Sequence, residues 1–523
     1  HRTSPTNMGL SLLANMAAWD FGYIPTEILL DRNSNSLHTM HRMERYQGHF
    51  YNWYDTQTLE PMAPKYISTV DSGNLAGHLL TLKQGLLALG EAPVLHSRLF
   101  RGLKDTVNVL MEKTENDNLF QPLITDLDAA ETKEWKTVLS IRDQLQELAV
   151  KAETLAASID KASEARWWAD KLSKNSCEAL GDLYETAPWL QLNGFPARFQ
   201  SLENMISRIM TLNELANLED TILPVIHVLT EDEMPDEEKK WLETLRKLVI
   251  ETERRAKERL LTIQTLTKSC EEFADLKFDF LYDRSQRLLS IGYNVTDHRR
   301  DNSYYDLLAS ESRLTIFVGI AQGKLIQDTW FALGRQLTNP GTSPVLVSWS
   351  GSMFEYLMPL LVMPNYDHTL LDQTYHTSVQ KQIEYGRKRN VPWGVSESGY
   401  NMVDASLNYQ YRAFGVPGLG LKRGLGEDLV IAPYASVMAL MVTPEEAAEN
   451  LLDMEAEGFS GRYGMYEAVD YTASRLTRGQ QYAVVRSFMA HHQGMSFLSF
   501  AYLLLDKPMQ KRFEAEAQFR AIM

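Results

Sequence analysis

A mainly α-helical protein, a toroid of helical hairpins carrying a long helical insertion, is the fold class this sequence predicts. Three observations predict it. Apolar residues recur at i, i+3, i+4 and i+7 along much of the 523-residue chain. No run alternates long enough to make a large sheet. The helical stretches of the first and last parts are joined by long loops dense in Gly, Ser, Pro, Trp and Tyr, an arrangement in which loops at one end of a toroid build a site.

Taken in order, residues 1–100 form the first barrel segment. Helical periodicity at Gly9 to Phe21 and Leu75 to Leu89 flanks a turn-rich stretch, Gln47 to Ser72. Residues 101–275 differ in texture, with many Glu, Lys, Leu and Ala and few Gly, and read as the insertion, packed outside the barrel. Its runs Thr137 to Trp168 and Glu237 to Phe273 carry Glu-to-Lys and Glu-to-Arg pairs at helical spacing. An acidic hinge, Thr230 to Glu238, contains Pro235, which disfavours helix at the residue before it, while its acids suit the first turn that follows. Residues 276–523 form the remainder of the barrel, with helices expected at Tyr304 to Gly319 and Ser352 to Leu361.

The formal charge of −16 opposes binding to phosphate backbones or anionic lipid, so no nucleic-acid partner is expected. A neutral ligand fits, and the 10 Trp and 23 Tyr offer rings on which sugars stack. Two cysteines, Cys177 and Cys270, make no disulfide framework, and a reducing compartment is the default reading. No apolar run reaches the ~18 residues of a spanning helix, and the opening His1-Arg2-Thr3-Ser4-Pro5 reads as the start of a fragment whose membrane anchor lies elsewhere.

The sequence carries no P-loop, no dinucleotide fingerprint, no H-E-x-x-H and no G-x-S-x-G, and no cofactor or metal is expected. Five acid- or histidine-bearing constellations remain. Glu311, one turn after Leu307, is paired with an arginine such as Arg313 or Arg299, or points into a cavity. Glu397 sits in a Gly/Ser-rich turn between Trp393 and Tyr400; it either starts a helix or serves chemistry beside two sugar-stacking rings. Glu355, three residues after Ser352, fits a capping box as well as a site. Gly461 to Tyr471 brings Tyr466 and Glu467 into one loop. The adjacent His491 and His492 point to different sides of a helix, a poor chelating pair better suited to hydrogen bonding hydroxyls. Acids in aromatic loops without a cofactor motif suggest glycosidic-bond chemistry, which needs two carboxylates.

The runs Arg2 to Asn7, Gly48 to Asp55, Ser68 to Leu75, Leu307 to Glu311, Trp393 to Ser398 and His491 to Ser496, in that order, resemble the middle region of cyclic β-1,2-glucan synthases. The resemblance implies an (α/α)6 barrel of the glycoside hydrolase family 189 type. Its implied activity is transglycosylation of linear β-1,2-glucan into rings with retention of configuration. It also implies a place beside glycosyltransferase and phosphorylase-like domains of one synthase, on the cytoplasmic side of the inner membrane. Carried over, the two essential carboxylates fall on Glu311, as nucleophile, and Glu397, as acid/base. Sugar contacts are expected at Tyr54, Asp71, Asn74, Asp301, Tyr304, Trp349, Trp393, Tyr400, Tyr466, His491 and His492, with Glu355 and Glu467 in support. Rings at Trp393, Tyr400 and Tyr466 would cover the acceptor side and exclude water. A hydrolytic endo-β-1,2-glucanase on the same barrel and a non-catalytic glucan-binding scaffold are the alternatives.

Overall fold

A computed structural model describes residues 2–114, 119–192, 194–339, 341 and 343–523. The chain forms two compact units. One holds His1–Ala14, His38–Gln84 and Ser269–Met523, the other Asn15–Leu37 and Gly85–Lys268.

Helices dominate, as the periodicity predicts, and the all-α class is the class observed. The strands are short devices of the loops, in antiparallel sheets of two or three, and the longest among the described residues is Ser398–Val403. No helix among the described residues is long and apolar enough to cross a membrane.

In the second unit the helices Val138–Ser158 and Glu164–Thr186 pack on one another. Ile141, Leu145, Leu148, Ala152 and Leu155 form the buried stripe of the first, spaced by three and four residues. The side chains of Thr137 and Ser163 cap the two starts by accepting the Ser140 and Arg166 N–H groups. The periodic run 137–168 is therefore two helices, interrupted at 159–163. The 236–274 run is one continuous helix, Asp236–Ala274, entered after the Pro235 hinge with three acids in its first turn.

In the first unit, two helices carry the first carboxylate. Thr69–Ala88 approaches Ser312–Ala321 closely because Gly73 lies where any Cβ would stand 2.1 Å from the Thr315 hydroxyl oxygen. The helix expected from Tyr304 begins only at Ser312. Backbone N–H groups of Tyr305 and Leu308 instead donate to the carbonyls of Leu289 and Gly334, so tertiary pairing overrides the helical pattern of this stretch. Glu311 consequently stands at the start of the helix, not on its face.

The second carboxylate lies in the loop 393–397. The Gln382 side chain, on helix Leu370–Arg389, clamps Val395 by donating to its carbonyl at 2.8 Å and accepting its N–H at 2.7 Å. Ser396 accepts from the Phe354 N–H, which ties the loop to helix Met353–Leu357. Helices Pro433–Ala439 and Ala490–Leu504 pack together and bring Tyr434 and His492 into contact below it.

Candidate active site

Glu311 receives one side-chain hydrogen bond, from the Asn74 amide at 3.2 Å. Arg313, named from sequence as its possible partner, is buried and turned away. Its guanidinium donates to the carbonyls of Ser310, Glu355 and Tyr356 and to the Tyr375 hydroxyl. Enclosure by protein pushes the Glu311 carboxyl well above the ordinary range, and the charges of Glu397, Asp71 and Glu355 push the same way. The Asn74 hydrogen bond opposes them. The helix start would favour the carboxylate by only ~0.3–1 kcal/mol, less than the ~1.4 kcal/mol of one pKa unit.

Glu397 is surrounded differently. Its carboxylate accepts the Tyr411 hydroxyl at 2.8 Å, and its backbone carbonyl accepts the Tyr434 hydroxyl at 2.9 Å. Enclosure raises its pKa; the Tyr411 hydrogen bond and the charge of His492 oppose the rise, and the charges of Glu355 and Asp71 add to it. Both carboxyls are thus raised by enclosure, and they differ in their donors: an amide at Glu311, a tyrosine hydroxyl at Glu397.

Behind Glu397 runs a chain of side chains. The Tyr411 hydroxyl lies 3.2 Å from His491 Nε2 and 3.3 Å from His492 Nε2. His492 Nδ1 meets both Glu467 oxygens, at 3.0 and 3.1 Å. Tyr434 stacks on the His492 ring, with centroids 3.6 Å apart and planes 9° from parallel. The two histidines do not diverge as expected. At the first turn of their helix their rings tilt together, 4.0 Å between centroids, and both reach one hydroxyl.

The other sequence-named residues separate into two groups. Asp71 and Asn74 belong to the site: Asp71 accepts from the Thr6 hydroxyl at 2.6 Å, and desolvation raises its pKa. Glu467, His491 and His492 belong to it through Tyr411. Glu355 is occupied by its own loop, accepting from Ser348, Trp349, Ser350 and Ser352 in the capping box, so its oxygens have structural partners and only its charge is felt at the site. Tyr54 is buried and spent on Glu44 and Tyr51. Asp301 accepts from Tyr66 at 2.5 Å, and Tyr304 donates to Asp283. Trp349 is 62% exposed, free to stack on a ring, whereas Trp393 is 6% exposed and fills the core beside Asn450 and Ser436. Trp393 therefore cannot cover an acceptor. Tyr400 lies under the Arg475 guanidinium, 5.0 Å from its ring centre, and edge-on to Phe414. Tyr466 tilts against the half-exposed Phe488 at 5.5 Å.

Sequence reasoning missed Tyr411, Tyr434 and Tyr305. Tyr305 lies within electrostatic reach of Glu311, Asp71, Tyr66 and Glu397, which with desolvation hold its hydroxyl protonated. Tyr411 sits on strand Tyr409–Arg412, whose sequence Tyr-Gln-Tyr-Arg resembles any polar strand. Nothing local marks any of the three.

A family model described as putative glucoamylase matches residues 303–516. Over 521 residues, 99% of its length, the chain is 37% identical to the cyclic beta-(1,2)-glucan synthase NdvB of Rhizobium meliloti. The chain is a homologue of one segment of this synthase. The chain spans 17% of that synthase's length. Among solved structures, the beta-1,2-glucanase of Parabacteroides distasonis aligns with a TM-score of 0.50 at 12% identity, covering 99% of this chain and 54% of that one, a likeness of fold. The endo-beta-1,2-glucanase of Chitinophaga pinensis aligns with a TM-score of 0.49 at 10% identity, covering 99% and 86%.

Proposed function

We propose that this synthase segment is a glycoside hydrolase-type enzyme, a retaining transglycosylase that closes linear β-1,2-glucan into rings. The observation that carries the reading is the pair Glu311 and Glu397, two enclosed carboxyls with different hydrogen-bond donors. They lie within a chain homologous along nearly its whole length to a cyclic glucan synthase.

The surroundings support a division of roles opposite to the one the resemblance implies. Glu311, with a single amide donor and three acids acting on it, holds the proton at rest. Glu397, with a hydroxyl donor and a histidine nearby, is the carboxylate. In this reading Glu311 gives its proton to the glycosidic oxygen as the C1–O bond breaks, and Glu397 attacks C1 to form a glycosyl ester. A hydroxyl at the chain's far end then attacks C1, passes its proton to Glu311 and releases Glu397. Ring closure makes the acceptor intramolecular, which raises its effective concentration.

In the whole protein this segment works beside glycosyltransferase and phosphorylase-like domains, on the cytoplasmic side of the inner membrane. Residues 101–275 are an insertion in the barrel, a reading supported by the compact helical unit that contains most of them.

Incubation of the purified chain with linear β-1,2-glucan, followed by separation of rings from shortened chains, tests the reaction. Rings are expected. Shortened linear products alone would make it a hydrolase, and unchanged substrate would leave a binding scaffold. Glu311→Gln and Glu397→Gln should each lower turnover about 10²- to 10⁴-fold with the fold intact. A variant that keeps near-native transfer removes its residue from the mechanism.

A further inference from the structure

The chain Glu467–His492–Tyr411–Glu397 goes beyond what two catalytic acids require. Glu467 and His492 are almost wholly enclosed, with side-chain exposures of 0% and 1%. Enclosing an acid and an imidazole costs several kcal/mol per ion in general, so a pair of this kind is commonly retained for function. A carboxylate only accepts, so the Glu467 contact fixes the proton of His492 on Nδ1 whatever the state of Nε2. Glu467 also accepts the Gly399 N–H at 2.9 Å, and Gly399 is paired across the hairpin with Tyr411. A Cβ at Gly399 would stand 3.2 Å from Glu467 Cγ, so the glycine permits this approach. One buried carboxylate thereby anchors both the histidine and, at Gly399, the hairpin that carries Tyr411. Tyr434 locks the same histidine by stacking and grips the Glu397 carbonyl.

The Tyr411 hydroxyl has one hydrogen and three acceptors or donors around it: Glu397 Oε1, His491 Nε2 and His492 Nε2. We infer that Tyr411, fixed by His492 and Glu467, is the positioning residue that keeps Glu397 ionised and aimed, and that its hydrogen turns to a histidine nitrogen when Glu397 carries the sugar. The inference rests on the proposed role of Glu397. Its chemistry balances without a further reactant: esterification removes the charge on Glu397, the hydroxyl rotates, and no proton leaves the group of four. The titratable groups acting on Glu397 or Tyr411 are Glu355, Asp71, Tyr434, His492 and Glu467, with His491 in direct contact and Glu311 facing Glu397.

Tyr411→Phe removes the hydroxyl and keeps the ring. His492→Gln keeps a donor for Glu467 and removes the imidazole. Both variants and Glu397→Gln are compared with the native chain in two measurements. One is the pH profile of cleavage of linear β-1,2-glucan. The other, free of substrate, is the ¹³C titration of glutamate-labelled carboxyls, with the Glu397 signal assigned by its loss in Glu397→Gln. In both Tyr411→Phe and His492→Gln the Glu397 midpoint and the acidic limb should rise by about one pH unit, a tenfold loss of ionised form on the limb. For Tyr411→Phe, kcat should fall at least about tenfold with KM changed less than about threefold. Loss of kcat with an unmoved limb and an unmoved Glu397 midpoint overturns the inference and leaves Tyr411 a packing residue. If Glu397→Gln stays active, the catalytic reading fails, while the ¹³C midpoints still report on the relay. Should Tyr411→Phe not fold, His492→Gln carries the same two readouts.

Discussion

Glu311 is enclosed by protein, faces the charges of Glu397, Asp71 and Glu355 and accepts one amide hydrogen from Asn74, so its ionised form is disfavoured in the folded chain relative to the unfolded one. A carboxyl whose folded pKa is raised contributes its full stability below its unfolded pKa and loses it as pH rises towards the folded value. Glu311→Gln should therefore be neutral in stability below about pH 4.3 and increasingly stabilising above it, read as a rising difference in thermal midpoint. A variant less stable than the native chain at neutral pH would contradict this account. Trp393 predicts the opposite kind of behaviour. As a core residue, Trp393→Ala should cost about 3–5 kcal/mol by denaturant unfolding, with cleavage and ring closure lost together through unfolding and not through a changed product ratio.

Between elements, the approach of helix Thr69–Ala88 to Ser312–Ala321 sets where Asn74 meets Glu311, and Gly73 sets the approach. Intrinsic helix propensity would make Gly73→Ala more stable by about 1 kcal/mol. The 2.1 Å distance from its Cβ to Thr315 instead predicts a net loss of about 1–3 kcal/mol. Chemical denaturation gives the sign directly, and a stabilised variant would mean that the two helices separate freely. The Glu355 capping box shows how an element signal and a site signal overlap. The motif Ser352 to Glu355 was legible, and the structure adds that the loop's donors use the same carboxylate.

For the whole molecule, the outcome of each turnover in the proposed reaction depends on which acceptor reaches C1. Of the three rings assigned from sequence to exclude water, Trp393 is buried and Tyr400 is held beneath Arg475, which leaves Tyr466 with its exposed neighbour Phe488. Tyr466→Ala should raise linear, hydrolysed product relative to rings before it abolishes cleavage, as measured by product separation. An unchanged ratio places water exclusion elsewhere. The net charge of −16 is of little consequence for a neutral glucan, so turnover should change less than about twofold between low and physiological salt.

The sequence by itself determined the helical class, the change of texture that marks the second unit's helices and the Pro235 hinge, and it offered Glu311 and Glu397 as candidates. Each of these is carried by neighbours in the chain: a period of 3.6, a proline or acid at a helix start, an acid inside a short motif. Only the tertiary structure decided that Glu311 begins a helix and that Arg313 faces away. It alone buries Trp393 and brings His491 and His492 to one hydroxyl. Tyr411 meets Glu397 across 14 residues and His492 across 81, and Glu467 meets His492 across 25. Contacts at such separations leave no periodicity, because nothing repeats along the chain between their members. They exist through the packing of helices and a hairpin on one another, and that packing also supplies the desolvation that makes two identical side chains different acids.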